Sequence, residues 1–209
     1  MSELLKSLEA LTPSLTRFRE AYALDGELVR PFANAHGVRV VEGGIFDLPS
    51  PGDYNFRLPQ VADLPRLLGV NRLAVLCEDR RQLAEAVDLL GLKPESGSDA
   101  VIGIAGGVAQ PDTSRMDAMA EFLSNVLAIN PKAKLYAGIH IGVCGGVDHY
   151  TDGSMTVLAR ESGPSGEKIA MKQHASNFVD KLVAKGVNPD RINSFVALVG
   201  SNGFEGIEQ

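Results

Sequence analysis

RLAVLCEDRR, residues 72–81, changes from mostly apolar to fully charged residues after Cys77, and this change decides the fold of the chain. The first six residues are mostly apolar, as in a buried strand that ends at Cys77, whereas the last four are all charged. A second stretch, LYAGIHIGVCGG at 135–146, repeats the design with an apolar segment that contains His140 and runs into Cys144. Each stretch therefore predicts a buried strand with a chemically useful side chain at its end.

Beyond residue 60, strand-like segments alternate with segments of helical periodicity. Gly91 ends the first helical segment, the candidate N-caps of the second are Asp112, Thr113 and Ser114, and Gly186 ends the third. Because strand–helix–strand units form right-handed parallel crossovers, the sequence predicts an α/β fold with a mostly parallel sheet and helices on both faces. The strands are predicted at 72–77, 98–109, 133–143 and 191–200.

Two parts of the chain fall outside this alternation. Residues 1–60 predict a helical arm, broken at Pro13, which precedes the α/β domain at 61–209 and is expected to wrap a neighbouring subunit. The segment 148–161 predicts a β-hairpin that turns at 151–153. The sequence thus predicts one α/β domain with a helical N-terminal extension.

The composition is that of a globular protein and argues against two classes of partner. The 209 residues are 44% hydrophobic and 22% charged, with a formal net charge of −6. No cluster of lysine and arginine interleaved with aromatic residues is present, which argues against nucleic-acid binding. No apolar run approaches the roughly 18–20 residues of a membrane helix, and the N-terminus has no apolar signal segment. We therefore expect a cytoplasmic protein with no nucleic-acid or membrane partner.

The two cysteines, Cys77 and Cys144, are too few for a disulfide framework and are better suited to chemistry. Cys77 and His140 are both expected at the carboxyl edge of the sheet, where α/β proteins bind ligands. Zinc binds cysteine and histidine, and a catalytic zinc site keeps three protein ligands and one open position. The pair therefore predicts a zinc site, against the alternatives that Cys77 only fills the core and that His140 is a hydrogen-bonded core residue.

The third metal ligand has two main candidates. Cys144 follows His140 by four residues, which is about 13 Å on a straight strand, so the chain must bend between them. The neighbouring glycines permit such a bend. His174 is the rival, predicted at the beginning of a helix after a loop at 161–166, and His149 is a weaker candidate.

Cys77 is followed by Asp79 and Arg81 at alternate positions. A nearby arginine keeps an aspartate ionised, and such a pair can accept a hydrogen bond from a metal-bound water. The alternative is that the acid caps a helix, but two arginines in a first helical turn oppose the helix dipole. The glycine pair at 106–107 matches no nucleotide-binding fingerprint and predicts a close approach of the backbone to a compact site.

The spacing C-x-D-x-R at Cys77, Asp79 and Arg81 resembles the active-site signature of the β-class carbonic anhydrases. That family has a later strand that ends in His-x-x-Cys-Gly-Gly, and HIGVCGG at 140–146 is similar, with one residue more between histidine and cysteine. The chain also resembles the divergent limiting-CO2-inducible B protein group, in which a His-Ile strand runs into a hairpin and a later cysteine begins a helix. His174 falls nearest that cysteine.

The resemblance implies a zinc-dependent lyase that interconverts CO2 and bicarbonate through attack by zinc-bound hydroxide. Asp79 would accept a hydrogen bond from the zinc-bound species, and Arg81 would hold Asp79. A homodimer is also implied. The implied zinc ligands are Cys77, His140 and either Cys144 or His174.

Two other classes of function stay open. A hydrolase with Cys77 as nucleophile and His140 as base needs a thiolate activated at a helix N-terminus. A non-catalytic binding or assembly protein on the same scaffold would hold well under one zinc per chain. Hydrolysis of COS or CS2 is a further alternative for the zinc site itself.

Overall fold

The computed structural model describes residues 3–22, 39–41, 45–47, 59–77, 83–104, 106–110, 112–142, 154–200 and 203–208. The helices of this part of the chain are α1 (Glu3–Tyr22), α2 (Leu64–Leu67), α3 (Leu83–Leu89), α4 (Thr113–Ile129) and α5 (Ser154–Ala184). Its strands are β1 (Arg39–Val41), β2 (Ile45–Asp47), β3 (Arg72–Cys77), β4 (Asp99–Ile104), β5 (Lys134–Ile141), β6 (Ile192–Gly200) and β7 (Gly203–Glu208).

Five strands form one sheet in the order β4-β3-β5-β6-β7. The strands β3 to β6 run parallel, and β7 pairs with β6 in the antiparallel direction. The register aligns Arg72 of β3 with Asp99 of β4 and with Lys134 of β5. The short strands β1 and β2 form a separate antiparallel pair. The predicted α/β fold with a mostly parallel sheet is confirmed.

Helices cover both faces of this sheet, because its central strands are apolar on both sides. We call the side that carries Leu73, Val75 and Ile139 the main face, and the side that carries Ala74 and Leu76 the second face. The helices α1, α4 and α5 pack on the main face and form the larger core. Helix α3 packs on the second face.

Helix α1 runs through Pro13 without a break, so the predicted interruption there is wrong. Proline costs about 3 kcal/mol inside a helix, but here the helix buries Leu11, Leu15 and Phe18 in the main core. The ring of Phe18 stacks on Phe122 of α4, with centroids 5.3 Å apart. Tertiary packing therefore outweighs the local proline signal. The domain boundary at residue 60 and the wrapping of a neighbour stay predictions.

Helix α5 replaces the predicted β-hairpin, which is wrong, and the loop predicted at 161–166 is also helical. The turn at 151–153 lies outside the described residues. The 31-residue helix is anchored on the main core by a buried stripe of Met171, Phe178 and Leu182, which outweighs the local turn residues. No helix in the described part of the chain is both long and apolar enough to cross a membrane.

Strand β7 follows the segment that was predicted to be the last strand. Its sequence, GFEGIE, holds two glycines and two glutamates, which have low strand propensity. It forms because β6 offers an edge for antiparallel pairing and because Ile207 packs against the core of the second face. The salt bridge between Lys168 of α5 and Glu208 fixes its end.

Candidate functional site

The carboxyl ends of β3 and β5 lie side by side where the strand order reverses. From β3 the chain continues to β4 on one side of the sheet, and from β5 it continues to β6 on the other. Open α/β sheets bind their ligands outside the carboxyl ends of the strands at such a switch point. Cys77 is the last residue of β3, and His140 is the last but one of β5. The structure therefore brings these two predicted site residues to one edge of the sheet.

A turn at 106–110 separates the two strand ends. Strand β3 pairs with β5 only as far as Val75, whereas it pairs with β4 as far as Cys77. Gly107 has a φ of +57°, and a Cβ atom on it would lie 2.4 Å from the carbonyl oxygen of Gly138 and 2.9 Å from the Cys77 nitrogen. No other residue fits there. Gly107 thus lies close to the backbones of β3 and β5, whereas the approach of the glycine pair to a compact site stays a prediction.

The turn at 106–110 is buried in the core, where hydrogen bonds hold it between the ends of β3 and β5. Val108 and Ala109 are fully buried, and Gln110 is 1% exposed. The Val108 amide donates to the carbonyl oxygen of Gly138 at 3.3 Å. The side-chain amide of Gln110 donates to the carbonyl oxygen of Gly107 at 2.8 Å. These hydrogen bonds hold the turn in the gap left by the interrupted β3–β5 ladder.

Cys77 and His140 approach the edge from opposite faces of the sheet. Cys77 is 4% exposed and packs in the main core with the other main-face residues of β3. Ile139 and Ile141 also pack there, so the alternation of side chains along a strand directs His140 to the second face. Gly138 agrees, because a Cβ atom on it would meet side chains of the second-face core. One ion bound by both residues must therefore lie in the plane of the sheet, beyond the strand ends.

The additional residue between His140 and Cys144 places the histidine one position earlier along β5 than in the motif that 140–146 resembles. In the motif that 140–146 resembles, the histidine precedes the cysteine by three residues, and Ile141 occupies that position here. Ile141 lies on the main face, as Cys77 does. A shift of one residue along a strand turns every side chain to the other face. The departure from the motif therefore has a direct structural consequence for the imidazole.

The imidazole of His140 is fully buried and contacts the backbone of the next residue, Ile141. Its Nδ1 atom lies 3.4 Å from the carbonyl oxygen of Ile141. This oxygen only accepts hydrogen bonds, so a neutral imidazole that donates to it carries its proton on Nδ1 and its lone pair on Nε2. Such an assignment suits a histidine that binds a metal through Nε2.

Glu167 is a buried carboxylate at this edge that the sequence did not indicate. It is 2% exposed, and its Oε2 atom accepts a hydrogen bond from the Gly142 amide at 3.0 Å. Gly142 follows β5 directly. No motif marked Glu167, which lies just beyond the residues 161–166 that were predicted to form a loop.

His174 lies within α5 and not at its beginning. It is seven residues beyond Glu167, or about 10 Å along the helix axis. Since Glu167 reaches the carboxyl end of β5, His174 lies beside the middle of the sheet. Burial lowers the pKa of His174, because a less polar environment disfavours the charged imidazolium. The structure therefore separates His174 from the edge that holds His140.

The remaining predicted site residues, Asp79, Arg81, Cys144 and His149, lie outside the described residues. Segment 78–82 connects Cys77 to α3, which packs on the face to which His140 points. Within the described ranges, no three histidine, cysteine, aspartate or glutamate side chains are grouped so that they could hold a metal ion. A complete site would therefore need ligands from the segments next to β3 and β5.

No protein-family model and no curated protein sequence matches the chain. Among solved structures, the chain is similar to the β-carbonic anhydrase isoform I of Trichomonas vaginalis. The identity is 14% and the TM-score is 0.37, over 86% of this chain and 93% of that chain. The fold assignment rests on the strand order and register given above.

Proposed function

We propose that this chain is a zinc-dependent lyase of the carbonic anhydrase type that interconverts CO2 and bicarbonate. The observation that carries the proposal is the placement of Cys77 and His140 at the ends of adjacent parallel strands, at the switch point of the sheet. Thiolate and imidazole fit zinc chemically. Both side chains are buried, so they can hold an ion away from bulk water.

The proposed zinc ligands are Cys77, His140 and Cys144, with His174 as the alternative to Cys144. The distance along α5 favours Cys144, since His174 lies about 10 Å from the residue that reaches the end of β5. Cys144 comes two residues after Gly142, where β5 has just ended. Because the thiol of Cys77 and the ring of His140 belong to opposite faces, the proposed ion lies beyond Gly107 at the carboxyl edge.

Zinc, when bound, would supply a water of lowered pKa as the nucleophile that converts CO2 to bicarbonate. Asp79 would orient this water by accepting a hydrogen bond, and Arg81 would keep the Asp79 carboxylate ionised. The course of the chain supports these roles, because the segment that holds both residues leads from Cys77 to the face on which His140 lies. A homodimer and a cytoplasmic location complete the proposal, on the grounds of the sequence.

The hydrolase with a nucleophilic cysteine has less support. The thiol of Cys77 is 4% exposed and packs among apolar side chains, which disfavour a thiolate that has no metal ion bound to it. Within the described residues, α3 begins at Leu83, six residues beyond Cys77, so the described part of the chain shows no helix N-terminus at the thiol. The nucleophilic mechanism requires that activation.

Zinc content and CO2 hydration test the proposal together. The wild type, purified without chelator, is expected to hold about one zinc per chain and to hydrate CO2. Cys77→Ser and Cys144→Ser should lose both properties, while His174→Ala should keep both. A wild type with far less than one zinc per chain, or a Cys77→Ser variant with full zinc and activity, would contradict it. Full zinc without CO2 hydration would instead favour COS or CS2 as substrate.

A further inference from the structure

The peptide group between Ile141 and Gly142 is held from both sides. Its N–H, on Gly142, donates to Oε2 of Glu167 at 3.0 Å. Its carbonyl oxygen, on Ile141, lies 3.4 Å from Nδ1 of His140. Because the peptide unit is planar, an orientation fixed at its nitrogen is also fixed at its oxygen. A carboxylate on α5 is thus linked to the imidazole of β5 through a single peptide group.

The conformation of Gly142 makes this link possible. Its φ is +103°, and a Cβ atom on it would lie 2.0 Å from the carbonyl oxygen of Val199, so only glycine fits. The ladder between β5 and β6 ends one residue earlier, at Ile141. The amide of Gly142 therefore turns away from the ladder and bonds to a side chain of α5.

The position of Glu167 is fixed by the helix that carries it. Helix α5 is anchored on the main core by Met171 and Ala175, one and two turns further along. A carboxylate that is 2% exposed is destabilising unless it is hydrogen-bonded, so its contact with Gly142 offsets part of the cost of its burial. This hydrogen bond joins α5 to the end of β5.

We propose that Glu167 is a positioning residue for His140. By accepting the Gly142 N–H, it holds the Ile141 carbonyl where this oxygen accepts the Nδ1 proton, which leaves the Nε2 lone pair for a metal. Outer acceptors of this kind orient a ligand ring and raise its basicity. Here the carboxylate acts through a peptide group instead of touching the ring. The inference rests on the proposed function only where it makes His140 a zinc ligand.

Three variants test separately the charge of Glu167, its hydrogen-bond acceptor and the general effect of a substitution on α5. Glu167→Gln keeps an acceptor oxygen for Gly142 without the charge, and Glu167→Leu removes the acceptor at similar volume. Asp180→Asn, an exposed carboxylate on the same helix, is the matched control. If Glu167→Leu does not fold, Glu167→Asp replaces it, because its carboxylate is one methylene too short to reach the amide.

The first measurement uses zinc-free protein and long-range ¹H–¹⁵N NMR of the imidazoles, with His140 assigned through His140→Gln. We expect an Nδ1–H tautomer in the wild type, in Glu167→Gln and in Asp180→Asn, and a mixture or an Nε2–H tautomer in Glu167→Leu. A merely structural role would not move this signature. An Nε2–H tautomer in the wild type, or a folded Glu167→Leu variant with the wild-type tautomer, would overturn the inference.

The second measurement is zinc affinity, by competition with a chelator. Glu167→Leu should bind zinc about 10–100-fold more weakly, as losing an outer-shell partner does elsewhere, and Glu167→Gln should recover most of the loss. An altered tautomer with unchanged zinc affinity would overturn the role of Glu167 toward the metal. A wild type that binds no zinc would overturn the proposed function, while the tautomer would still decide whether Glu167 positions His140.

Discussion

The amino and carboxyl edges of the sheet are built from different groups. At the amino edge, Arg72 donates to the carboxylate of Asp99 and to the carbonyl oxygens of Leu90 and Gly91, which follow α3. Arg191 donates to three carbonyls at the end of α4 and in the loop after it. At the carboxyl edge, the described chain turns instead on Gly107 and Gly142, which admit no side chain.

This difference indicates that the groups that stabilise the fold and the side chains suited to chemistry lie at different edges of the sheet. The arginines of the amino edge each satisfy several acceptors at once, so they bind the start of β3 to the end of α3 and the start of β6 to the end of α4. The carboxyl edge lacks such arginine clamps among its described residues and holds a thiol, an imidazole and a carboxylate close to the strand ends. We infer that the amino edge maintains the fold and that the carboxyl edge is shaped to bind a ligand.

Gly107→Ala should have the largest effect of these substitutions on the unfolding free energy. A positive φ costs an L-residue about 1–2 kcal/mol, and the contacts with the backbones of Gly138 and Cys77 add an overpacking cost of about 1–3 kcal/mol. Urea denaturation measures the loss of unfolding free energy, and zinc content measures the loss of the proposed site.

Gly97→Ala is the matched control for this substitution. Gly97 has a φ of +75° just before β4, at the amino edge, and a Cβ atom there would meet nothing within 4 Å. Only the conformational cost should appear, with full zinc content. Equal losses of unfolding free energy in the two variants would show that the turn at 106–110 is not tightly packed between β3 and β5.

Asp99→Ala should have the next largest effect, on the amino edge. Asp99 is 1% exposed, pairs with Arg72 and accepts a hydrogen bond from the Lys93 amide at 2.7 Å. Arg72 keeps 29% of its side chain exposed, so we expect the lower end of the about 3–5 kcal/mol that breaking a buried ion pair costs.

Zinc content per folded chain should stay unchanged in Asp99→Ala if the two edges have separate roles. Asp88→Ala, an exposed acid on α3, is the control and should change the unfolding free energy by less than about 0.5 kcal/mol. A loss of zinc in folded Asp99→Ala would break the proposed separation of the edges.

Substitution of His174 should have the smallest effect on the unfolding free energy, since this residue lies between the two edges of the sheet. Its lowered pKa means that the unfolded chain binds a proton more readily than the folded chain. Below its ordinary value of 6.5, stability therefore falls as the pH falls toward the lowered folded value. His174→Gln should lose less stability than the wild type between pH 7.5 and 5.5, measured by urea midpoints. An identical pH dependence in both proteins would contradict this assignment.

The parts of the fold that the sequence predicted are those with strong local signals. Strand β3 was evident because five of its six residues are buried and apolar, and the ends of the helices carried their own markers. The Asp112 carboxylate caps α4 by accepting a hydrogen bond from the Ser114 amide at 2.8 Å, as its position in the sequence predicted. Gly91 and Gly186 both have positive φ at the helix ends that they were predicted to form.

The parts that the sequence did not predict depend on tertiary contacts. Helix α5 extends back to Ser154 because its later turns are packed, and β7 forms because β6 has an open edge. The edge shared by Cys77 and His140 followed from the alternation of strands and helices, but their faces did not. Those faces depend on a register that only the pairing of β3 with β5 defines.

The opposite faces of Cys77 and His140 have a consequence for protein engineering. Because neighbouring positions on a strand project to opposite faces, a histidine at position 141 of β5 would project to the main face, where the thiol of Cys77 packs. Exchanging the histidine and the isoleucine of β5, with His140→Ile and Ile141→His together, would therefore present both donors on the same face of the sheet.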